Sequence, residues 1–141
     1  MIPLREEKSK RSKPRKEDLE FEIGFFEGIA RRDPDYIEAL QILGDAYTKT
    51  GQWEKGSQVD ERLSRLCPDN PLVFYNLACS YSLLNRLDEA FAALESAIKI
   101  GYADARWLES DPDLKNLRHD SRFERVRASL CKEKSDRQAQ S

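Results

Sequence analysis

The stretch that decides the fold is LQILGDAYTKTGQWEKGSQVDERLSRLCP, residues 40–68. Leu40, Leu43, Gly44 and Tyr47 recur at helical spacing, Gly51 breaks the run, and Trp53, Gly56, Leu63 and Leu66 form a second helical face that stops at Cys67-Pro68. The pattern returns 34 residues later. Phe74 stands for Leu40, Leu77 for Leu43, Ala78 for Gly44 and Tyr81 for Tyr47; Ala90, Ala97 and Ile100 stand for Gly56, Leu63 and Leu66. A helix–turn–helix unit with this period is the signature of a solenoid, because one unit cannot bury its apolar face alone. Small residues at Gly44, Gly56, Ala78 and Ala90 let the two helices of a unit approach closely, and Tyr47 and Tyr81 fill the space beside them. Each buried aromatic is worth about 1.5–3 kcal/mol.

On the N-terminal side, a helix is expected from Glu17 to about Arg32, with Leu19, Ile23, Phe26 and Ile29 as its apolar stripe and Phe25 beside it. It corresponds to the second half of an earlier repeat, 17–34. Gly24 and Gly28 lie one turn apart on it. A helical glycine costs about 1 kcal/mol, so a closely packed neighbouring helix is expected there. Asp35 and Glu38 have the spacing of a capping box for the next helix. Repeats are expected over 35–70 and 71–102. Asn70-Pro71 is a cap followed by proline at the first helical position, Asn85-Arg86 is a turn, and Gly101 a terminator.

After Gly101 the pattern degrades into a capping segment, 103–134. Trp107 and Leu108 are apolar, Asp111-Pro112 opens a short helix with Leu114 and Leu117, and Ser121 with Glu124 reads as another capping box. Phe123, Val126 and Leu130 then share one face. Residues 1–16 and 135–141 are polar and expected to be disordered.

The bulk numbers exclude several classes. In this 141-residue chain 35% of residues are charged and 39% hydrophobic, which suits a helix-rich fold with much surface. Residues 1–16 carry seven basic side chains (Arg5, Lys8, Lys10, Arg11, Lys13, Arg15, Lys16) against Glu6 and Glu7, a net of +5, leaving −7 for the remainder. Such an arm reads first as a solvated tail and second as a binder of nucleic acid or anionic surfaces through Arg11, Lys13, Arg15 and Lys16. Cys67, Cys79 and Cys131 are widely spaced and odd in number, and there is one histidine. Free thiols in a reducing compartment follow, without a zinc site. No apolar run spans a membrane, and no secretory signal is evident, so a cytoplasmic protein is expected.

Catalysis is not expected. His119-Asp120-Ser121 contains triad residue types, but three consecutive residues at a helix start diverge rather than converge. Asp33-Pro34-Asp35 and Asp111-Pro112-Asp113 lack the glycine and distal glutamate of a calcium loop. No catalytic residue, metal ligand or cofactor site is assigned.

The repeated residues Leu43, Gly44, Tyr47, Gly56 and Pro68, then Phe74, Leu77, Ala78, Tyr81, Ala90 and Ala97, resemble tetratricopeptide repeats. The likeness covers 17–102. The segment with Trp107-Leu108, Asp111-Pro112-Asp113-Leu114, Leu117-Arg118 and Arg122-Phe123 is similar to a tail found after the repeats of some bacterial proteins of this kind. Asp60 departs from the family's bulky apolar residue, and Tyr102 from its terminal proline. The resemblance implies an all-α fold, an α-α superhelix of antiparallel helix pairs with a C-terminal capping helix, acting as a protein-interaction adaptor. Its concave groove would bind a protein or peptide segment through Glu38, Gln41, Asp45, Leu72, Tyr75, Asn76, Cys79 and Arg106, with Tyr75, Asn76 and Cys79 on the exposed face. Asn76 and Arg106 match a clamp for a C-terminal carboxylate, but Asp45 would repel one, and the acidic rim favours a basic or neutral peptide. A further alternative is self-association through apolar helix faces near Phe21 and Phe25.

Overall fold

The computed structural model describes residues 14–139. The described chain is all-α, with no strand among those residues. The helices are α1 (Lys16–Arg32), α2 (Ile37–Lys49), α3 (Trp53–Leu66), α4 (Pro71–Leu83), α5 (Leu87–Ile100), α6 (Ala105–Ser110), a 3-10 helix (Pro112–Leu117) and α7 (Ser121–Ala139). They fall into two compact units, one up to Pro68 and one from Asp69. Most of the basic arm lies outside the described residues. At the other end α7 runs on through 135–139, where the sequence suggests a disordered tail.

The helix starts extend the repeat beyond Gly101. Ile37, Pro71 and Ala105 open α2, α4 and α6 at intervals of 34 residues, and Trp53, Leu87 and Ser121 open α3, α5 and α7 at the same interval. The C-terminal segment therefore keeps the helix starts of a third, broken unit. Proline at 112 cannot continue α6, so the first helix of this unit is split into α6 and the 3-10 helix.

In the first unit α1 packs on α2 and α2 on α3. Leu19 and Ile23 of α1 join Leu43, Ala46 and Tyr47 of α2, with Phe26, Ala30 and Val59 at the edge. Tyr47 closes this core and donates its hydroxyl to Glu27 Oε2 at 2.5 Å. Asp60, the departure from the apolar pattern, is buried. Gly51 takes φ +76°, a left-handed turn that glycine adopts without strain.

The second unit has the larger core. Leu77, Ala78 and Tyr81 of α4 meet Ala90, Leu94 and Ala97 of α5, and Phe91 and Ile98 belong to the same core as Phe123, Val126 and Leu130 of α7. Asn85 supplies the left-handed residue of the α4–α5 turn (φ 61°), and Gly101 ends α5 at φ 132°. Arg122 ties α7 to α5: its guanidinium lies 4.5 Å from the Phe91 ring centre and pairs with Asp88 at 2.7 Å.

Three local expectations are corrected. Tyr36, not Asp35, is the residue preceding α2, with no side-chain cap; Asp35 is drawn off to Arg62, at 2.5 Å. At the start of α7 the Ser121–Glu124 box is replaced by Asp120, whose carboxylate accepts from the Arg122 backbone N–H at 2.9 Å, while Glu124 pairs with Arg127. The Arg122 side chain also donates to Asp120 and holds its carboxyl down to about 2. Finally, among the described residues Gly24 and Gly28 face no close neighbour: nothing lies within 4 Å of a Cβ built at Gly24, and only Arg31 approaches Gly28, at 3.8 Å.

The cap at Asn70 forms as expected, accepting from Leu72 N at 3.0 Å, with Pro71 at the first turn. Asn70→Ala should cost about 1 kcal/mol, read as a lower urea midpoint with an unchanged slope.

Candidate functional site

The expected groove residues fall into two sets, one in each unit. In the first unit, Glu38, Gln41 and Asp45 lie on α2. Glu38 is exposed and Gln41 and Asp45 are half-buried. Asp45 Oδ2 pairs with Lys49 one turn on, at 2.6 Å. Its Oδ1 is buried without a hydrogen-bond partner among the described residues. Glu22, on α1, completes an acidic cluster. Burial raises its pKa above the ordinary value, Asp45 raises it further, and Lys49 only partly offsets them. Negative charge on this face thus exceeds what Lys49 neutralises.

In the second unit the structure corrects the exposed-face expectation for Tyr75 and Cys79. Tyr75 is 1% exposed and Cys79 0%. The 3-10 helix packs on α4, and the chain from Tyr102 to Arg118 covers the side of α4 expected to be open. Tyr102 stacks on Tyr75 with ring centres 4.4 Å apart and planes within 7°. The Tyr75 hydroxyl donates to Asp111 Oδ2 at 2.8 Å, and Cys79 Sγ lies 3.7 Å from the same oxygen. Asp111 Oδ1 accepts from the Asp113 backbone N–H at 2.9 Å and so caps the 3-10 helix. Arg118 closes the turn, donating to the carbonyls of Asp111 (2.6 Å) and Leu108 (3.2 Å). Asn116 reaches back to the carbonyl of Ser82 at 2.8 Å.

Burial, followed by the neighbouring Cys79 and Asp111, pushes the Tyr75 phenol far above its ordinary pKa. It therefore stays a donor across the whole physiological range. Of the remaining expected residues, Leu72 and Asn76 are half-buried, Leu72 against the core, and Arg106 is exposed.

Donor atoms of Cys79, Asp111 and Asp113 converge within 4.8 Å. Three donors fall short of a closed tetrahedral set, and both Asp111 oxygens already accept hydrogen bonds. The chemistry of this cluster is capping and anchoring. Cys67, Cys79 and Cys131 form no disulfide among the described residues. Asp120 of the His119-Asp120-Ser121 run is committed to Arg122. Arg11 and Lys13 of the basic arm lie outside the described residues, while Arg15 precedes α1, Lys16 opens it, and the two pair with Asp18 and Glu20. No helix among the described residues is long and apolar enough to cross a membrane.

A signal for the covered face is present in the sequence. PLVFYNLACSYSL, residues 71–83, is apolar around its whole circumference, and such a helix is buried on more than one side. Tyr102, Leu108, Leu114 and Leu117 also need an apolar partner, which α4 provides.

Two outcomes follow from this chemistry. Tyr75→Phe leaves the buried Asp111 carboxylate without its hydroxyl donor and should destabilise the protein by about 1–3 kcal/mol, measured by chemical denaturation; an unchanged midpoint would contradict the anchoring role. For Glu22 the raised pKa means that its contribution is fully favourable below the ordinary value of 4.5 and is lost as pH rises through the folded value. Glu22→Gln should therefore leave stability near pH 4 little changed and increase it at pH 7, in paired denaturation curves.

Comparison with known proteins places this architecture. Residues 72–100, which span α4 and α5, match the Tetratricopeptide repeat family. The chain is 38% identical over 98 residues to a chloroplastic protein of Arabidopsis thaliana, a match covering 67% of this chain and 28% of that protein. It is 32% identical over 91 residues to the peroxisomal targeting signal receptor of Komagataella phaffii, covering 63% of this chain and 16% of the receptor. The chain thus spans less than a third of the length of the curated relatives it matches. The 34-residue succession of helix pairs and this match over α4 and α5 together give the described chain an all-α helical-repeat fold of the tetratricopeptide type.

Proposed function

We propose that the protein is a non-catalytic interaction adaptor that holds a peptide or partner segment against the first helices of its repeats. The observation that carries this reading is the match of residues 72–100 to the tetratricopeptide repeat. A relative named as a targeting signal receptor supports recognition of a short segment. The binding surface in the first unit is the α2 face with Glu38, Gln41 and Asp45. In the second unit Leu72, Asn76 and Arg106 are the residues placed to contribute, while Tyr75 and Cys79 act from beneath as support. The excess negative charge of Glu22, Glu38 and Asp45 over Lys49 selects a basic or neutral segment. Three cysteines without a disulfide among the described residues fit a reducing compartment, and a cytoplasmic location is part of this reading.

Panning a peptide-display library against the intact protein tests the proposal. Selected sequences should be enriched in lysine and arginine. A Glu38→Gln/Asp45→Asn variant should bind the best of them at least about tenfold more weakly, with its helical content unchanged by circular dichroism. Equal affinity of the two proteins would remove the α2 face from the binding site.

A further inference from the structure

Helix α1 is apolar on two opposite sides. One side carries Leu19 and Ile23, which are buried in the first unit with Phe26 and Ala30 packed beside them. The other carries Phe21 and Phe25, 76% and 56% exposed, the two most exposed large hydrophobic side chains of the described chain. Phe21, Gly24, Phe25 and Gly28 stand at the i, i+3, i+4, i+7 positions of a single helical stripe. Phe25 is held edge-on against the ring of Phe26, at 5.0 Å and 86°, so it is braced from within. Both glycines weaken the helix, and no other described helix approaches either closely. Among the described residues, the side of α1 with two phenylalanines beside two glycines has no packed neighbour.

We propose that the missing neighbour is α1 of a second copy of this chain, packed antiparallel about a two-fold axis that passes beside Gly24 and Phe25. The stripe is self-complementary under that operation, as a two-fold interface requires. Phe21 of each copy lies over the gap at Gly28 of the other, and Phe25 over the gap at Gly24, where the absence of a side chain leaves room for the ring. Charge makes the same choice. The first turn of α1 holds Glu17 and Asp18 and the last turn Arg31 and Arg32, so antiparallel pairing sets each acidic end beside the basic end of the other copy. Parallel pairing would set like charges together. The local pairs Arg15–Asp18 and Lys16–Glu20, at 3.4 and 3.8 Å, are exposed. Such pairs are worth little and leave these side chains able to take new partners. The opposed helix dipoles favour the same orientation. A single 17-residue helix face is smaller than a standard stable interface, so the dimer is a weak, reversible one, distinct from the segment-binding face on α2.

The test is the mass of the full chain in solution by sedimentation equilibrium over a wide range of concentrations. The expected result is a rise from one chain, 16.3 kDa, towards twice that mass. Gly24→Leu should raise the dissociation constant at least about tenfold; the space around Gly24 accommodates the new side chain in a folded monomer, which circular dichroism checks. Arg31→Glu/Arg32→Glu and Glu17→Arg/Asp18→Arg should each weaken the dimer, and mixing the two variants should restore it. A mass of one chain at every concentration overturns the proposal, as does a dimer insensitive to Gly24→Leu. Loss of peptide binding with the dimer intact, or the reverse, separates this inference from the adaptor reading.

Discussion

The second unit depends on one buried contact, the hydrogen bond from the Tyr75 hydroxyl to the carboxylate of Asp111. A carboxylate in a core is costly unless its oxygens are engaged. Here one oxygen takes the phenol and the other takes the backbone N–H of Asp113. The same residue thus fixes the side of α4 and the start of the 3-10 helix. Leu114 and Leu117, both fully buried, then follow onto α4 because the helix that carries them is anchored at its first turn. Without Asp111, the break that Pro112 imposes would leave this segment without a fixed entry angle.

Aromatic stacking sets where the covering segment begins. Gly101 turns the chain out of α5, and Tyr102 is the next residue, lying flat on Tyr75. A proline at 102, the residue the family pattern leads one to expect, would end the helix equally well but would offer no ring of this size to stack. The departure from the pattern and the closure of the α4 face are therefore one feature. It explains how an element that looks like a degraded repeat still completes the unit: it keeps the helix starts of the 34-residue period and exchanges the apolar ladder of an ordinary first helix for a capped, split one.

Much of this is legible in the sequence. The helix pairs 37–66 and 71–100 follow from periodicity, the Asn70-Pro71 start from capping chemistry, and Gly101 and Asn85 from turn preference, because each is decided by neighbours within a few residues. That α4 is covered on a second side is legible in its all-round apolar sequence; that Tyr102 and Asp111 do the covering is not, because they lie about a repeat away in sequence. A helical wheel for α4 shows which side faces α5; it does not show what else covers the helix. The capping boxes fail for a related reason. Asp35 and Glu124 have the right spacing, but Arg62 and Arg127, which the local pattern does not reveal as partners, take their carboxylates, and Asp120 accepts the backbone N–H at the start of α7. On α2, position is legible from helical spacing, but the interaction of Glu22 with Asp45 requires knowing how α1 packs on α2.

The first and last described helices differ on the side away from their described neighbours. Soluble solenoids make polar a helix side that no repeat covers. Helix α7 follows the rule: Phe123, Val126 and Leu130 point inward, and its first turns carry Arg122, Glu124 and Arg127 in ion pairs. Helix α1 does not, since Phe21 and Phe25 remain open to solvent beside Gly24 and Gly28. Glycine at both positions removes helix stability and adds no polarity, so a requirement for solubility alone does not account for it. Close approach of another helix accounts for the glycines and the phenylalanines together, and the opposite charges at the two ends of α1 state which direction that helix runs.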